Sequence, residues 1–256
     1  CLQIDDHEVR WVSSGEGPVA RSEWLALSTL PDQRYLLLRS EEQSFPDDAL
    51  TEIRQERMLA VDEETVFPPC QVEIILGMEG RLFVILPTNV KTALPFACNA
   101  PFVQDPARVK IKDPEISETN RCLLKRVGTL AAEGMLAWLR RSDLDLYQRC
   151  EAYRLFPDVD RKDSSLEGSC ATIVEEAFEA AVRGRSYLLS DTGDLKPAKG
   201  CVTFPQAVID TWSTEQASAL FDAQNRPCLC RGIAPEERRK LVHWGLVEEY
   251  GRDHVL

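Results

Sequence analysis

From Gly80 to Leu139 the chain runs GRLFVILPTNVKTALPFACNAPFVQDPARVKIKDPEISETNRCLLKRVGTLAAEGMLAWL. It is read as a strand, a Pro-Thr turn with a lysine loop, a second strand, an arginine-bearing connection and a long capped helix. Leu82–Leu86 is a continuous apolar run, the pattern of a strand buried on both faces. Ala97–Val103 is extended but interrupted by Pro101, which has no N–H to give a ladder, so an edge or bulge is expected there. Ser117 stands where a helix N-cap belongs, with Glu118 in the first turn. Leu123, Leu124, Val127, Leu130, Ala131, Met135, Trp138 and Leu139 then recur at helical spacing.

Outward from this core, residues 7–14 and 21–29 read as strands around a Gly15–Pro18 turn, with Trp11 and Trp24 expected to face the core. Residues 33–39 form a third strand or a short buried helix; the run is too short to decide. Ser44–Ala60 is read as a helix that Pro46 can start, Arg57 lying on its partly amphipathic face. Cys70–Met78 and Arg81–Leu86 are predicted strands joined by a tight hairpin at Glu79-Gly80. Asp143–Phe156 is a helix ended by Pro157. The polar stretch 157–168 marks a boundary between a first domain, 1–156, and a smaller C-terminal α/β domain, 157–256. In the latter, helices are expected over 169–183, 205–212, 214–223 and 235–244, with strands at 186–190, 201–204, around Leu229 and at 246–250. The fold class is α/β in the broad sense, α+β, with a mixed sheet and helices.

The 256 residues are 44% hydrophobic and 28% charged, as in a globular protein with a real core. No run approaches the ~20 apolar residues needed to span a bilayer, and no signal peptide is present, so membrane association is not expected. The first residue is Cys1 rather than Met, which suggests a piece of a longer protein, or a chain renumbered after processing. A net charge of −12 argues against binding nucleic acid, although Lys110, Lys112, Arg121, Lys125 and Arg126 form a local basic cluster. The nine cysteines are scattered, several inside apolar segments, and read as reduced small hydrophobes of a cytoplasmic protein. Cys228 and Cys230 form a C-x-C pair with His243 and His254 nearby, but the spacing matches no known zinc pattern.

Catalytic templates fail: Walker A, G-x-G-x-x-G, H-E-x-x-H and G-x-S-x-G are all absent. Asp191-Thr192-Gly193 matches the aspartic-protease triplet, yet that chemistry needs two carboxylates sharing a proton, and the triplet is also ordinary turn sequence. Lys91 and Arg108 each lie in a connection beside a strand, the arrangement by which a rigid sheet presents a cation to a phosphate. On spacing alone, two solvated surface charges stay open as the alternative.

Leu86-Pro87-Thr88, Leu94-Pro95-Phe96, Asn99-Ala100-Pro101-Phe102, Arg108 and Asn120 with Leu123-Leu124 together resemble a segment of sacsin-like proteins. These belong with the ninety-kilodalton heat-shock chaperone in the GHKL ATPase superfamily. Gly200–Pro205 resembles a later element of the same chains. The resemblance covers about residues 70–140 and, more loosely, 185–212. It implies a transducer domain of ribosomal-protein-like fold, following an N-terminal Bergerat ATPase domain that holds ATP and Mg. Arg108 matches the family's arginine; Lys91 would serve as the loop lysine of related transducers, and Gln104 would sit near the phosphate. The Bergerat motifs themselves are absent, so this piece is not expected to bind ATP or turn it over alone. The implied partners are the ATPase domain in cis and protein clients, in a chaperone-like or bacterial defence role; oligomeric state is left open. Two other classes compete: a non-catalytic protein-interaction module, and a stand-alone hydrolase built on Asp191.

Overall fold

The computed structural model describes residues 2–4, 7–56, 58, 66–221, 223 and 226–251, with side chains from Arg10 onward. Cys1, His254 and the predicted helix end, with Arg57 and Leu59-Ala60, lie outside the described residues. Two short antiparallel strands, β1 (Leu2–Ile4) and β2 (His7–Val9), precede β3 (Trp11–Glu16), β4 (Ser22–Leu27) and β5 (Leu30–Arg39). Helix α1 (Asp47–Glu56) leads to β6 (Glu73–Leu76), β7 (Arg81–Val84), β8 (Leu86–Lys91) and β9 (Phe96–Asn99). Then come α2 (Glu118–Leu139), α3 (Leu146–Cys150) running into a 3-10 turn over Glu151–Leu155, and α4 (Leu166–Val182). The remainder comprises β10 (Ser186–Leu189), β11 (Leu195–Pro197), β12 (Val202–Thr203), α5 (Gln206–Thr211), α6 (Thr214–Leu220), α7 (Pro235–His243) and β13 (Glu248–Glu249). The content is mixed α and β. No helix of the described residues is long and apolar enough to cross a membrane.

The chain resolves into two compact units, Cys1–Gly134 with Pro157–Ala181, and Met135–Phe156 with Val182–Leu256. Beside the one boundary read at 156/157, divisions thus fall at 134/135, inside α2, and at 181/182, near the end of α4. In the first unit, buried Glu175 holds the polar stretch after Pro157. Its carboxylate accepts from the Val159 N–H at 2.9 Å and from Arg161 Nε at 2.6 Å.

The first unit is built on a seven-stranded sheet in the order β3-β4-β5-β6-β9-β7-β8. Residues 33–39 are strand: Tyr35–Leu38 are buried in succession, as are Phe96–Cys98 of β9. These interior strands, not Leu82–Leu86, are covered on both faces. β6 and β7 are not a hairpin. β9 lies between them, antiparallel to β6 and parallel to β7. The apolar run from Leu82 instead ends in a tight β7–β8 turn, with Ile85 89% and Leu86 73% exposed. Pro87-Thr88 is likewise no turn. It lies in β8 at the sheet edge, where a missing N–H costs no ladder bond. Trp11, on the opposite edge strand, does not enter the core: it is 46% exposed and meets Tyr35 edge-on at 5.2 Å. Trp24 is half-buried beneath the Arg34 guanidinium.

Helix α2 begins as its sequence dictates, with the Ser117 hydroxyl accepting the Asn120 N–H at 3.2 Å. Its periodic apolar face is buried from Leu123 to Leu139 except at the half-buried Leu130. Gly128 sets the distance to α4, because a Cβ there would lie 2.2 Å from the Val174 carbonyl oxygen. In the second unit, Tyr153 is buried; its hydroxyl donates to the Tyr187 carbonyl at 2.6 Å and accepts the Leu189 N–H at 2.8 Å. This one phenol ties the 3-10 turn to β10.

Gly128→Ala should force α2 and α4 apart and lower stability by about 1–3 kcal/mol, measured by urea unfolding. Lys125→Ala, on the exposed side of the same helix, should leave the midpoint unchanged.

Candidate functional site

Lys91, Gln104 and Arg108 lie at one edge of the first unit's sheet. After β9 the chain folds back on itself over 103–112. Lys112 N–H donates to the Val103 carbonyl at 2.8 Å, Gln104 pairs with Ile111, and Asp105 N–H donates to the Lys110 carbonyl at 3.0 Å. The tip is Asp105-Pro106-Ala107-Arg108, closed by Arg108 N–H to the Asp105 carbonyl at 2.9 Å. Pro106 presets the turn, and the Asp105 carboxylate accepts both the Val109 and Lys110 N–H groups at 2.9 and 3.0 Å. Arg108 takes a left-handed conformation, φ 55°. Its carbonyl accepts from Gln104 Nε2 at 3.2 Å.

This loop is anchored from below by Asn120, which is fully buried in the first turn of α2. Asn120 Oδ1 accepts the Val103 N–H at 2.8 Å, and Nδ2 donates to the carbonyls of Val103 at 2.8 Å and Lys112 at 2.7 Å. A single carboxamide thereby fixes both arms of the loop. The α2 N-terminus is fixed in turn by Glu52 of α1. One Glu52 oxygen accepts from the Ser117 hydroxyl at 3.1 Å and the Thr119 N–H at 2.9 Å; the other takes Lys112 Nζ at 3.0 Å. Partial burial opposes ionisation of Glu52. The Thr119 backbone and hydroxyl, Lys112 and Ser117 outweigh it and hold the carboxyl below its ordinary range.

Lys91 ends β8, exposed, with its Nζ 4.0 Å from Glu79. The Asn89 N–H donates to the Val109 carbonyl at 2.8 Å, so the strand carrying Lys91 is bonded to the loop carrying Arg108. Arg108 is exposed and has no acid partner among the described residues. Gln104, expected near the phosphate, has its amide N–H on the Arg108 carbonyl and shapes the loop that carries the cation. The other motif residues are clamps. Thr88 is buried and donates to the Leu82 carbonyl at 2.8 Å. Asn99 accepts the N–H of Ile85, which sits at φ 64°, and donates to Glu73 at 2.7 Å.

The local basic cluster is largely neutralised. Lys112 pairs with Glu52 and Glu56, Lys110 with Glu167, and Arg121 with Glu118. Arg126 spends its guanidinium on the carbonyls of Gln43 and Cys70 and on the Cys70 sulfur at 3.2 Å.

In the second unit, Asp191-Thr192-Gly193 is the β10–β11 turn, with Gly193 at φ 86°. Asp191 accepts the Arg231 N–H at 2.9 Å and the Thr214 hydroxyl at 2.5 Å. No second carboxylate bonds to it among the described residues. It lies in a cleft of about 560 Å³ lined with Ser190, Thr192, Lys196, Thr214 and Arg226. All eight described cysteines are free thiols. Burial pushes Cys98 up, Cys170 to about 12 and Cys201 to about 11, so these act as small hydrophobes. Among the described residues no group of three or more potential metal ligands gathers.

Glu52, Asp105 and Asn99 carry the geometry of this edge without having been predicted to do so. Asp105-Pro106 was a legible turn signal; Glu52 was not, being 67 residues from the Thr119 N–H it binds. Compared with protein-family profiles, with curated proteins and with solved structures, the chain has no match.

Asn120→Ala should strand the Val103 N–H and the Lys112 carbonyl, the Val103 carbonyl keeping the Lys112 N–H, at about 1–3 kcal/mol per unsatisfied group, with faster amide exchange at Val103 as the readout. Because the folded Glu52 carboxyl is depressed, its contribution is present above the ordinary glutamate pKa and lost as pH falls through the folded value. Stability measured across that acid range should therefore fall less steeply in Glu52→Gln than in the parent.

Proposed function

We propose that this chain is the transducer-like region of a GHKL-type, sacsin-like ATPase. Its first unit offers Arg108, with Lys91 on the strand bonded to the same loop, to the terminal phosphate of ATP·Mg held by an N-terminal domain of the same polypeptide. The observation carrying this reading is the Arg108 loop: an exposed guanidinium, without an acid partner among the described residues, on a tip locked by Asp105, Gln104 and buried Asn120. A planar guanidinium with a fixed fork of donors matches phosphate oxygens, and holding it in place beforehand removes the cost of ordering it during reaction. The resembling residues Thr88, Asn99 and Asn120 support the reading because all three brace the strands and loop around that cation. Bound ATP·Mg would supply the reacting phosphoryl group; this chain's part is to stabilise charge and to pass the movement of the loop into the sheet and α2.

A non-catalytic interaction module is the second reading, favoured by Ile85 and Leu86, two large apolar side chains exposed together at the β7–β8 turn.

ATP turnover by the full-length protein separates the two. Under the first reading, Arg108→Ala should lower turnover by roughly 100-fold with the fold intact, Arg108→Lys should recover part of it, and Lys91→Ala should cost less. Unchanged turnover in Arg108→Ala removes the arginine from the mechanism. If turnover is unchanged and Ile85→Asp with Leu86→Asp abolishes co-purification of partners, the second reading stands.

A further inference from the structure

We propose that the Asp191 cleft of the second unit binds a small phosphate monoester of a hydroxylated carbon skeleton, the chemistry shared by sugar phosphates and nucleoside monophosphates. The cleft holds about 560 Å³, within the ordinary range of small-molecule sites. Three segments wall it: the β10–β11 turn, one side of α6, and the stretch Arg226–Cys228. All of them belong to one compact unit.

Asp191 bonds these walls to one another. Its N–H donates to the Cys228 carbonyl at 3.0 Å, and one carboxylate oxygen accepts the Thr214 hydroxyl of α6 at 2.5 Å. The other oxygen accepts the Arg231 N–H at 2.9 Å. Buried Ser218 and Cys228, 3.3 Å apart, close α6 against the third wall. The cleft is therefore preformed. A carboxylate has about four acceptor positions, and Asp191 uses two of them in these bonds. The side chain is half-buried and lines the cleft, so its remaining positions serve a ligand. The Thr214 hydroxyl gives its proton to Asp191 and keeps its oxygen lone pairs for the same ligand. A carboxylate and an accepting hydroxyl side by side suit neighbouring ligand hydroxyls.

The cations come from two different walls. Lys196 lies in β11 and Arg226 precedes Pro227, and both line the cleft. Each has a loose acid partner: Lys196 Nζ is 3.3 Å from Asp194 and Arg226 Nη2 is 3.6 Å from Glu248, with both carboxylates more than half exposed. Such pairs hold a side chain weakly, and a dianionic phosphate competes for both cations with better geometry and more charge. Carboxylates line the cleft as well, at Asp191 and Glu215. A bare polyanion would meet them unfavourably, and a neutral polyol would leave Lys196 and Arg226 unused. A phosphate monoester with free hydroxyls satisfies both sets of groups.

The test is isothermal titration calorimetry of the intact protein with ribose 5-phosphate and with AMP, against ribose and inorganic phosphate. At least one monoester should bind at a single site roughly tenfold or more tighter than ribose or inorganic phosphate, and the tighter monoester distinguishes a sugar from a nucleotide source. Lys196→Gln combined with Arg226→Gln should weaken that binding by about tenfold or more with an unchanged circular dichroism spectrum. Arg108→Ala, in the first unit, should leave it unchanged. The proposal is overturned by any of three results: no saturable binding of either monoester, binding no tighter than that of ribose or inorganic phosphate, or binding that survives the double substitution. If the double variant fails to fold, amide chemical shifts of the parent decide: movement on adding the monoester should centre on Asp191, Thr214 and Arg226, and movement centred elsewhere overturns the assignment.

Discussion

The carboxamide of Asn120 carries more of this structure than its size suggests. Its oxygen and nitrogen together satisfy three backbone groups on the two arms of the 103–112 loop, in a site with no access to water. Buried amides are costly when unpaired, so a fully engaged one acts as a lock. Asn120 can serve because it sits three residues beyond the Ser117 cap, where α2 is itself fixed by Glu52. Helix, loop and β8 edge are therefore one connected set of hydrogen bonds. Arg108 is the part of that set left facing solvent.

The charge of the chain takes on a different meaning once the pairs are located. A net charge of −12 suggests a surface that repels phosphate. Much of the basic cluster near α2 is absorbed by neighbouring carboxylates, as with Lys112 between Glu52 and Glu56. Arg108 lies outside those pairs, on a rigid tip. Net charge governs long-range encounter, whereas a short-range phosphate contact depends on a few oriented donors. An acidic chain and a cationic edge are thus compatible.

The second unit shows the converse use of charge. Glu175 in the first unit is buried with a cationic partner, Arg161; Arg238 in the second is buried against neutral acceptors. For Cys98, Cys170 and Cys201 burial is the largest influence, and it pushes all three thiols up.

Local signals were legible wherever local physics decides the outcome. The Ser117 cap, the periodic face of α2, the Pro235 start and Gly245 stop of α7, and the mixed α and β class all follow from residues within a few positions of one another. Lys91, Gln104 and Arg108 were recognisable as a group, and Asn120 as part of the same segment, but not what each one touches. Strand order was not legible. Placing β9 between β6 and β7 depends on pairing energies across the sheet, and an apolar run cannot tell a strand covered on both faces from one ending in an exposed turn. The same holds for Glu52 at the start of α2. That contact joins positions 67 residues apart, and only the folded backbone, which has already met the entropy of closing the loop, brings them within bonding distance.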